Sequence, residues 1–211
     1  MGDSHWIGRA ALAGAHGVST TAQGAAAGVR LVEQPLGGSL LVVSRRGKSD
    51  SVGDIVQREL RLALPTKPRR VAGGTAEVLW SGPGQWLVMD HGAGGPERLA
   101  KLSLALAGVA ASIDQSDARV VLRLSGPQAR RVLMKLIGID VHPSAFAVDD
   151  VAMTPIAHIA GHVWRRADVD GAPEFDIAGP RSMAGNLWHA VVAASSEYGL
   201  DARPLQPAIE K

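Results

Sequence analysis

From Arg119 to Leu124 apolar and polar side chains alternate, and from Ala129 onward the apolar positions recur at three and four residues. The change of period predicts a strand running into a helix. Val120, Leu122 and Leu124 alternate with Arg119, Val121 and Arg123, the pattern of a half-buried strand. Ser125 or Gly126 suits the helix cap, and Pro127 suits the first helical position, where a missing N–H costs nothing. Ala129, Val132, Leu133, Leu136 and Ile137 then share one face, Arg130, Arg131 and Lys135 face out, and Gly138 ends the run.

The same reading extends along the chain. GVRLVEQP and SLLVVSR are two strand-like runs separated by the turn formers Pro35, Gly37 and Gly38. A helix is expected from Asp54, as cap, to Leu62, with LPTKPRR breaking it. TAEVLW and Gln85–Met89 read as strands around the turn at Gly82-Pro83, followed by a helix from Pro96 to Ala107. In the last third DVDGAP supplies the turn between HIAGHVWRR and EFDIA. A final helix is expected from Arg181 to Tyr198, with Met183, Leu187, Val191, Ala194 and Tyr198 inward. Gly-Pro turns at 82 and 126 follow strand-like runs without repeating faithfully, which hints at two related lobes rather than a solenoid. Hairpins with helices beside them predict an α+β fold of two small antiparallel-sheet and helix lobes. The folded domain is expected over 29–203. Residues 1–28, rich in Ala, Gly, Ser and Thr, read as a flexible arm and 204–211 as a tail.

Composition changes this picture little. The 211 residues are 46% hydrophobic, enough for a substantial core. No apolar run approaches the ~20 residues that span a bilayer, and the start is a poor signal peptide, so no membrane association and a cytoplasmic location are expected. Cysteine is absent, which removes disulfides, thiolate nucleophiles and Cys-ligated metals together. The formal charge is only +2, although the pI is near 9.3. The basic groups Arg45-Arg46-Lys48, Lys67-Arg69-Arg70, Arg130-Arg131-Lys135 and Arg165-Arg166 therefore read as solvated faces, and with aromatics at 4% they form no stacking platform for nucleic acid.

Candidate chemistry is sparse. Gly47-Lys48-Ser49 follows a strand, yet Val42 stands where a phosphate loop requires its first glycine. GAGG at 92–95 lacks the dinucleotide spacing and is expected to be a loop. His158 and His162 have zinc-like spacing, but Thr154, Ile156, His158, Ala160 and His162 fit one face of a strand, and no Glu follows His158. Carboxylates pair as Asp114 with Asp117, Asp149 with Asp150, and Asp168 with Asp170; general acid–base work needs two environments that push pKa values apart, whereas Asp114 and Asp117 suit capping or an arginine partner and Asp168 and Asp170 a solvated turn with Gly171. No GxSxG elbow is present, so covalent hydrolysis has no support. Trp80, Trp86, Trp164 and Trp188 are the large aromatic side chains of the folded region; core packing is the simpler reading. Trp and Arg also anchor interfaces, and these four with Arg181 are the candidate docking residues.

The strand-turn-helix DQSDARVVLRLSGPQARRVLMKL at 114–136 resembles that of the folate-binding fold in the aminomethyltransferase of the glycine-cleavage system. TAEVLWSGPGQWLVMD at 75–90, DVHPSAF at 140–146, MTPIAHIAGHVWRR at 153–166 and PEFDIAGPRSMAGNLWHAV at 173–191 narrow the resemblance to the gamma subunits of heterotetrameric sarcosine oxidase. The similarity covers roughly 29–200, and its specificity lies in the order and spacing of several pieces.

That resemblance implies a non-catalytic assembly subunit, without cofactor or metal of its own, of a complex that oxidatively demethylates sarcosine to glycine. The complex would produce hydrogen peroxide and formaldehyde or methylenetetrahydrofolate. It places FAD, FMN, NAD, zinc and tetrahydrofolate on other subunits, and implies alpha, beta and delta subunits as partners, chiefly alpha. The alternative is a stand-alone folate-binding or aminomethyltransferase-like protein, which would keep an acidic residue for the pterin; the sequence offers no assignable one.

Overall fold

The alternation at 120–124 becomes a strand, but both of its faces are buried. In the computed structural model, which describes residues 10–20 and 26–205, Val120, Leu122 and Leu124 enter one core and Val121 enters another. The half-buried expectation is thus corrected by a second sheet packed on the face that reads as polar.

The strands are β1 (Val18–Ser19), β2 (Val29–Gln34), β3 (Gly38–Ser44), β4 (Arg70–Gly73), β5 (Ala76–Gly82), β6 (Gln85–Asp90), β7 (Ala110–Asp114), β8 (Arg119–Ser125), β9 (Val151–Ile156), β10 (Ile159–Arg165), β11 (Glu174–Pro180) and β12 (Leu200–Arg203). The helices are α1 (Ser49–Leu60), α2 (Gly95–Ala105), α3 (Ala129–Leu136) and α4 (Ala184–Ser195), the last flanked by single 3₁₀ turns at Arg181–Met183 and Ser196–Tyr198. One sheet has the order β4-β5-β6-β3-β7 and the other β1-β12-β2-β8-β11-β10-β9. Every pairing is antiparallel except that of β12 with β2.

Set side by side, the run β3-α1-β4-β5-β6-α2-β7 and the run β8-α3-β9-β10-β11-α4-β12 have the same element sequence and the same strand order, apart from β2 inserted between β8 and β12. The two lobes expected from the sequence are therefore two copies of one topology. The Gly-Pro pairs that hinted at them occupy unlike places: Gly82-Pro83 turns the β5–β6 hairpin, whereas Gly126-Pro127 joins β8 to α3. Gly126 has φ +112, and a Cβ there would stand 2.6 Å from the carbonyl oxygen of Gly28, so the turn requires glycine.

Each sheet carries two helices on its outer face. Val52 and Val56 of α1 and Leu99 and Leu102 of α2 pack on Val42, Val78 and Val88. Val132 and Leu133 of α3 and Leu187, Trp188 and Val191 of α4 pack on Leu31, Leu122, Leu124, Phe175 and Ile177. Between the sheets lie Leu79, Leu87 and Met89 against Val121, Val151, Trp164 and Ala178. The result is a helix-sheet-sheet-helix stack.

Several expectations move. Helix α1 starts at Ser49 rather than Asp54, because burial of Val52 recruits one more turn despite the weak helix propensity of Gly53. Helix α2 spans 95–105 rather than 96–107. The sequence 154–162 is not one strand: Ala157 and His158 both have positive φ and form the two-residue turn between β9 and β10. That turn carries none of the usual Asn-Gly signature, which is why the pattern hid it. The arm also departs from the flexible reading within 10–20. Leu12 is buried, β1 pairs with β12, and the N–H groups of Ala11 and Leu12 donate to the buried Glu33 carboxylate at 2.8 and 3.3 Å. A buried acid needs donors, and the tail adds a third, Leu205 N–H, at 2.9 Å. The rest of the expected arm at 1–9 and 21–25, and the tail at 206–211, lie outside the described residues.

Candidate functional site

Strand alternation puts Glu77 on the face of Leu79, Arg123 on that of Val121 and Asp176 on that of Ala178, so ionisable side chains share the inter-sheet layer with its apolar residues. Glu77 is 2% exposed and Asp176 1%. Charges this deep must be paired.

The pairing crosses from one sheet to the other. Glu77 accepts from Arg70 Nε at 2.5 Å and bonds His91 Nε2 at 2.8 Å, and Arg70 reaches Asp149 at 2.7 Å. On the facing sheet Arg123 makes a two-point bond to Asp176 at 2.8 and 2.9 Å. Arg166 donates to Asp176 at 3.0 Å, forms an ion pair with Glu174 at 3.1 Å, and lies 3.7 Å from Glu77. This last contact ties the two lobes electrostatically. Burial alone would push the Glu77 carboxyl up, but the hydrogen bonds from His91 and Arg70 outweigh it and hold it at about 2. Burial pushes His91 down, and the Glu77 and Pro35 contacts reverse that to raise it. A cavity of about 280 Å³ opens beside the network, between Gln34, Thr75, His91 and Arg166. Its cations already have carboxylate partners, so the arrangement is one that clamps rather than one that waits for an anion.

A second polar element joins the sheets at Ser81 and His162, whose Oγ and Nε2 are 2.9 Å apart. His162 Nδ1 has no hydrogen-bond partner. Burial first, and the nearby Arg119 charge second, hold the imidazole at about 4, so it is neutral across the ordinary pH range. No acid orients the ring, as the nucleophile–base arrangement would require. His158, at the tip of the β9–β10 turn, is exposed and far from being its zinc-ligand companion; the shared strand face expected for the two is lost in the turn. Among the described residues no three His, Asp or Glu side chains converge as metal ligands.

The carboxylate pairs do structural work. Asp114 accepts from Ser116 N–H and Oγ at 2.9 and 2.6 Å, and Asp150 pairs with Arg69 at 2.8 Å and takes the N–H of Ala147. Asp168 pairs with Arg165 at 2.9 Å. GAGG leads into α2, where Gly92 N–H and Arg98 satisfy the buried Asp90.

Of the expected docking residues, three are core. Trp164 lies between the sheets, Trp86 faces α1 and α2 and donates to the carbonyl of Pro65 at 2.7 Å, and Trp188 packs α4 onto its sheet. All three were drawn inward because each stands on a strand or helix face that a second layer covers. Trp80, across from Trp86 at the end of β5, and Arg181, where β11 meets its helix, keep partial exposure. The inter-sheet charges went unnoticed in the sequence, but a signal exists: Glu77 and Asp176 interrupt the apolar runs AEVLW and EFDIA, and a carboxylate inside a two-sided apolar strand requires a partner.

Comparison with known proteins matches residues 47–197 to the sarcosine oxidase gamma subunit family, more than half of the chain. The sarcosine oxidase subunit gamma of Corynebacterium sp. (strain P-1) is 37% identical over 139 residues, 64% of this chain and 65% of that one. The subunit gamma of Arthrobacter sp is 40% identical over 114 residues, 52% of this chain and 54% of its own. The chain thus spans at most 65% of the length of these curated relatives. Among solved structures, a chain of the heterotetrameric sarcosine oxidase from Corynebacterium sp. U-96, in complex with pyrrole 2-carboxylate, superposes with a TM-score of 0.73 at 26% identity. The match covers 82% of this chain and 87% of that one. The glycine cleavage system aminomethyltransferase T from Bartonella henselae shares the fold, with a TM-score of 0.59 at 17% identity over 83% of this chain and 48% of its own. With its two-lobed stack, its order of motifs and these matches agreeing, this chain belongs to the sarcosine oxidase gamma subunit family.

Proposed function

We propose that this chain is the gamma subunit of a heterotetrameric sarcosine oxidase and acts by assembly rather than by chemistry of its own. The observation that carries the reading is the match over most of both chains to a component of a heterotetrameric sarcosine oxidase. The geometry supports a structural role, since the buried Glu77 and Asp176 are engaged by guanidiniums of neighbouring strands and hold the two lobes together.

In this reading alpha, beta and delta subunits are the partners and alpha provides the main docking surface. FAD, FMN, NAD, zinc and tetrahydrofolate reside on those subunits, and the assembled complex demethylates sarcosine in the cytoplasm, delivering the one-carbon unit as formaldehyde or methylenetetrahydrofolate. No helix among the described residues is long and apolar enough to cross a membrane. Trp80 and Arg181, the partly exposed members of the expected docking set, belong to the contact with the partner.

A tagged pull-down from the native host grown on sarcosine tests the proposal. Recovery of three further subunits in a yellow, sarcosine-oxidising complex supports it, and Trp80→Ala should then lower the yield of complex without unfolding the chain. A colourless chain recovered alone overturns it. Calorimetric binding of a reduced folate by that lone chain would identify it as a folate-binding protein instead.

A further inference from the structure

Arg119, the first residue of β8, differs from the other arginines on the inter-sheet face. Arg123, on the same face, has Asp176 beside it, whereas the residue across from Arg119 on β11 is Pro180, which brings no carboxylate. Arg119 Nε is buried without a hydrogen-bond partner. Burial lowers its pKa and no acid counters the effect. The residue as a whole is half-buried, so a guanidinium without a carboxylate beside it gains a charge-assisted contact when an anion arrives to pair with it.

Arg119 is a lining residue of a cavity of about 200 Å³, bounded by Ala10 and Ala11 of the arm, Pro35 and Leu36 of the β2–β3 turn, and Arg181. The space is smaller than the ~300 Å³ at which pockets for drug-sized ligands begin, so it suits a molecule of a few heavy atoms. Glu33 and Asp117 also lie at its wall. The oxygens of Glu33 are already occupied by the N–H groups of Ala11, Leu12 and Leu205, which leaves its charge in place and disfavours a ligand carrying more than one negative charge. A planar guanidinium matches a carboxylate at two points.

We propose that Arg119 anchors a binding site for a small free monocarboxylate in the cavity between the N-terminal arm and the start of β8. The inference stands apart from the gamma-subunit reading, since it rests on this chain's own cavity and unpaired cation. It has a built-in reporter: the Arg119 charge helps keep His162 neutral, and a bound carboxylate neutralises that charge and lets the imidazole take a proton more readily.

The test is an NMR titration of the full-length, isotope-labelled chain with propionate, following the Arg119 Nε–H and the His162 ring. The expected result is a saturable shift of Arg119 with an upward move of the His162 pKa, and weaker binding of inorganic phosphate. Shifts that remain linear to about 50 mM propionate overturn the proposal, as does an unchanged response in a folded Arg119→Gln variant. Should that variant fail to fold, Arg119→Lys keeps the charge but loses the two-point contact; propionate affinity should then fall roughly tenfold, and equal affinity overturns the proposal.

Discussion

Replacing Glu77 by Gln probes the clamp between the lobes. In the folded chain its carboxyl is held at about 2 against an ordinary 4.5. At 1.36 kcal/mol for each pKa unit, that depression corresponds to roughly 3 kcal/mol of stability. A carboxyl depressed by folding contributes above its unfolded pKa, and the contribution is lost as pH falls from about 4.5 toward 2. His91 has the opposite sign: raised above 6.5 in the fold, it contributes below 6.5 and loses that contribution as pH climbs through its folded value. The pair is therefore most stabilising between about 4.5 and 6.5. Urea unfolding of the parent and Glu77→Gln chains, followed by circular dichroism at about pH 3, 5.5 and 8, reads this directly. The variant should lose roughly 3 kcal/mol near pH 5.5, with the gap narrowing toward acid as the carboxyl of the parent's unfolded chain takes up a proton below its ordinary 4.5 while the folded one stays ionised. A gap that is equal at all three pH values, or widest at pH 3, refutes the assignment of a paired, ionised Glu77.

Other consequences follow from the same packing. Trp164→Ala should cost about 3–5 kcal/mol by leaving a cavity between the sheets. Trp164→Phe should cost clearly less, because it also removes an indole N–H that has no acceptor; equal losses in urea unfolding would contradict this. Ser81→Ala deprives His162 Nε2 of its partner and should cost about 1–3 kcal/mol, read from the same unfolding curves; a neutral change would place the hydroxyl elsewhere. Gly126→Ala would drive a Cβ to 2.6 Å from the Gly28 carbonyl at φ +112. It should lower stability by at least ~2 kcal/mol, and an unshifted denaturation midpoint would show that the turn relaxes freely.

Sequence alone determined the local periods and the punctuation between them. The β8-to-α3 change of spacing, the Gly-Pro turns, the inward Leu187 and Val191 of α4 and the α+β class were legible because a helix or strand writes its period into neighbouring residues, whereas Met183, expected inward, precedes α4 and is exposed. The ordered motifs carried the family in the same way. Tertiary structure decided what lies across each surface. Val121 beside Arg123 reads as the polar side of a strand, and only the second sheet turns it into core. Trp86, Trp164 and Trp188 became core rather than docking residues for the same reason, and the Ala157-His158 turn exists because β9 and β10 pair, without a turn signature to announce it. The arm segment 10–20 docks because Glu33 is buried and must be given donors, a requirement that arises 13 or more residues downstream of that segment. Likewise, Glu77 meets Arg166 only across two stacked sheets, 89 residues away along the chain. Pairing of buried charge is a demand of the folded interior, where water is excluded, and local sequence spacing does not record it.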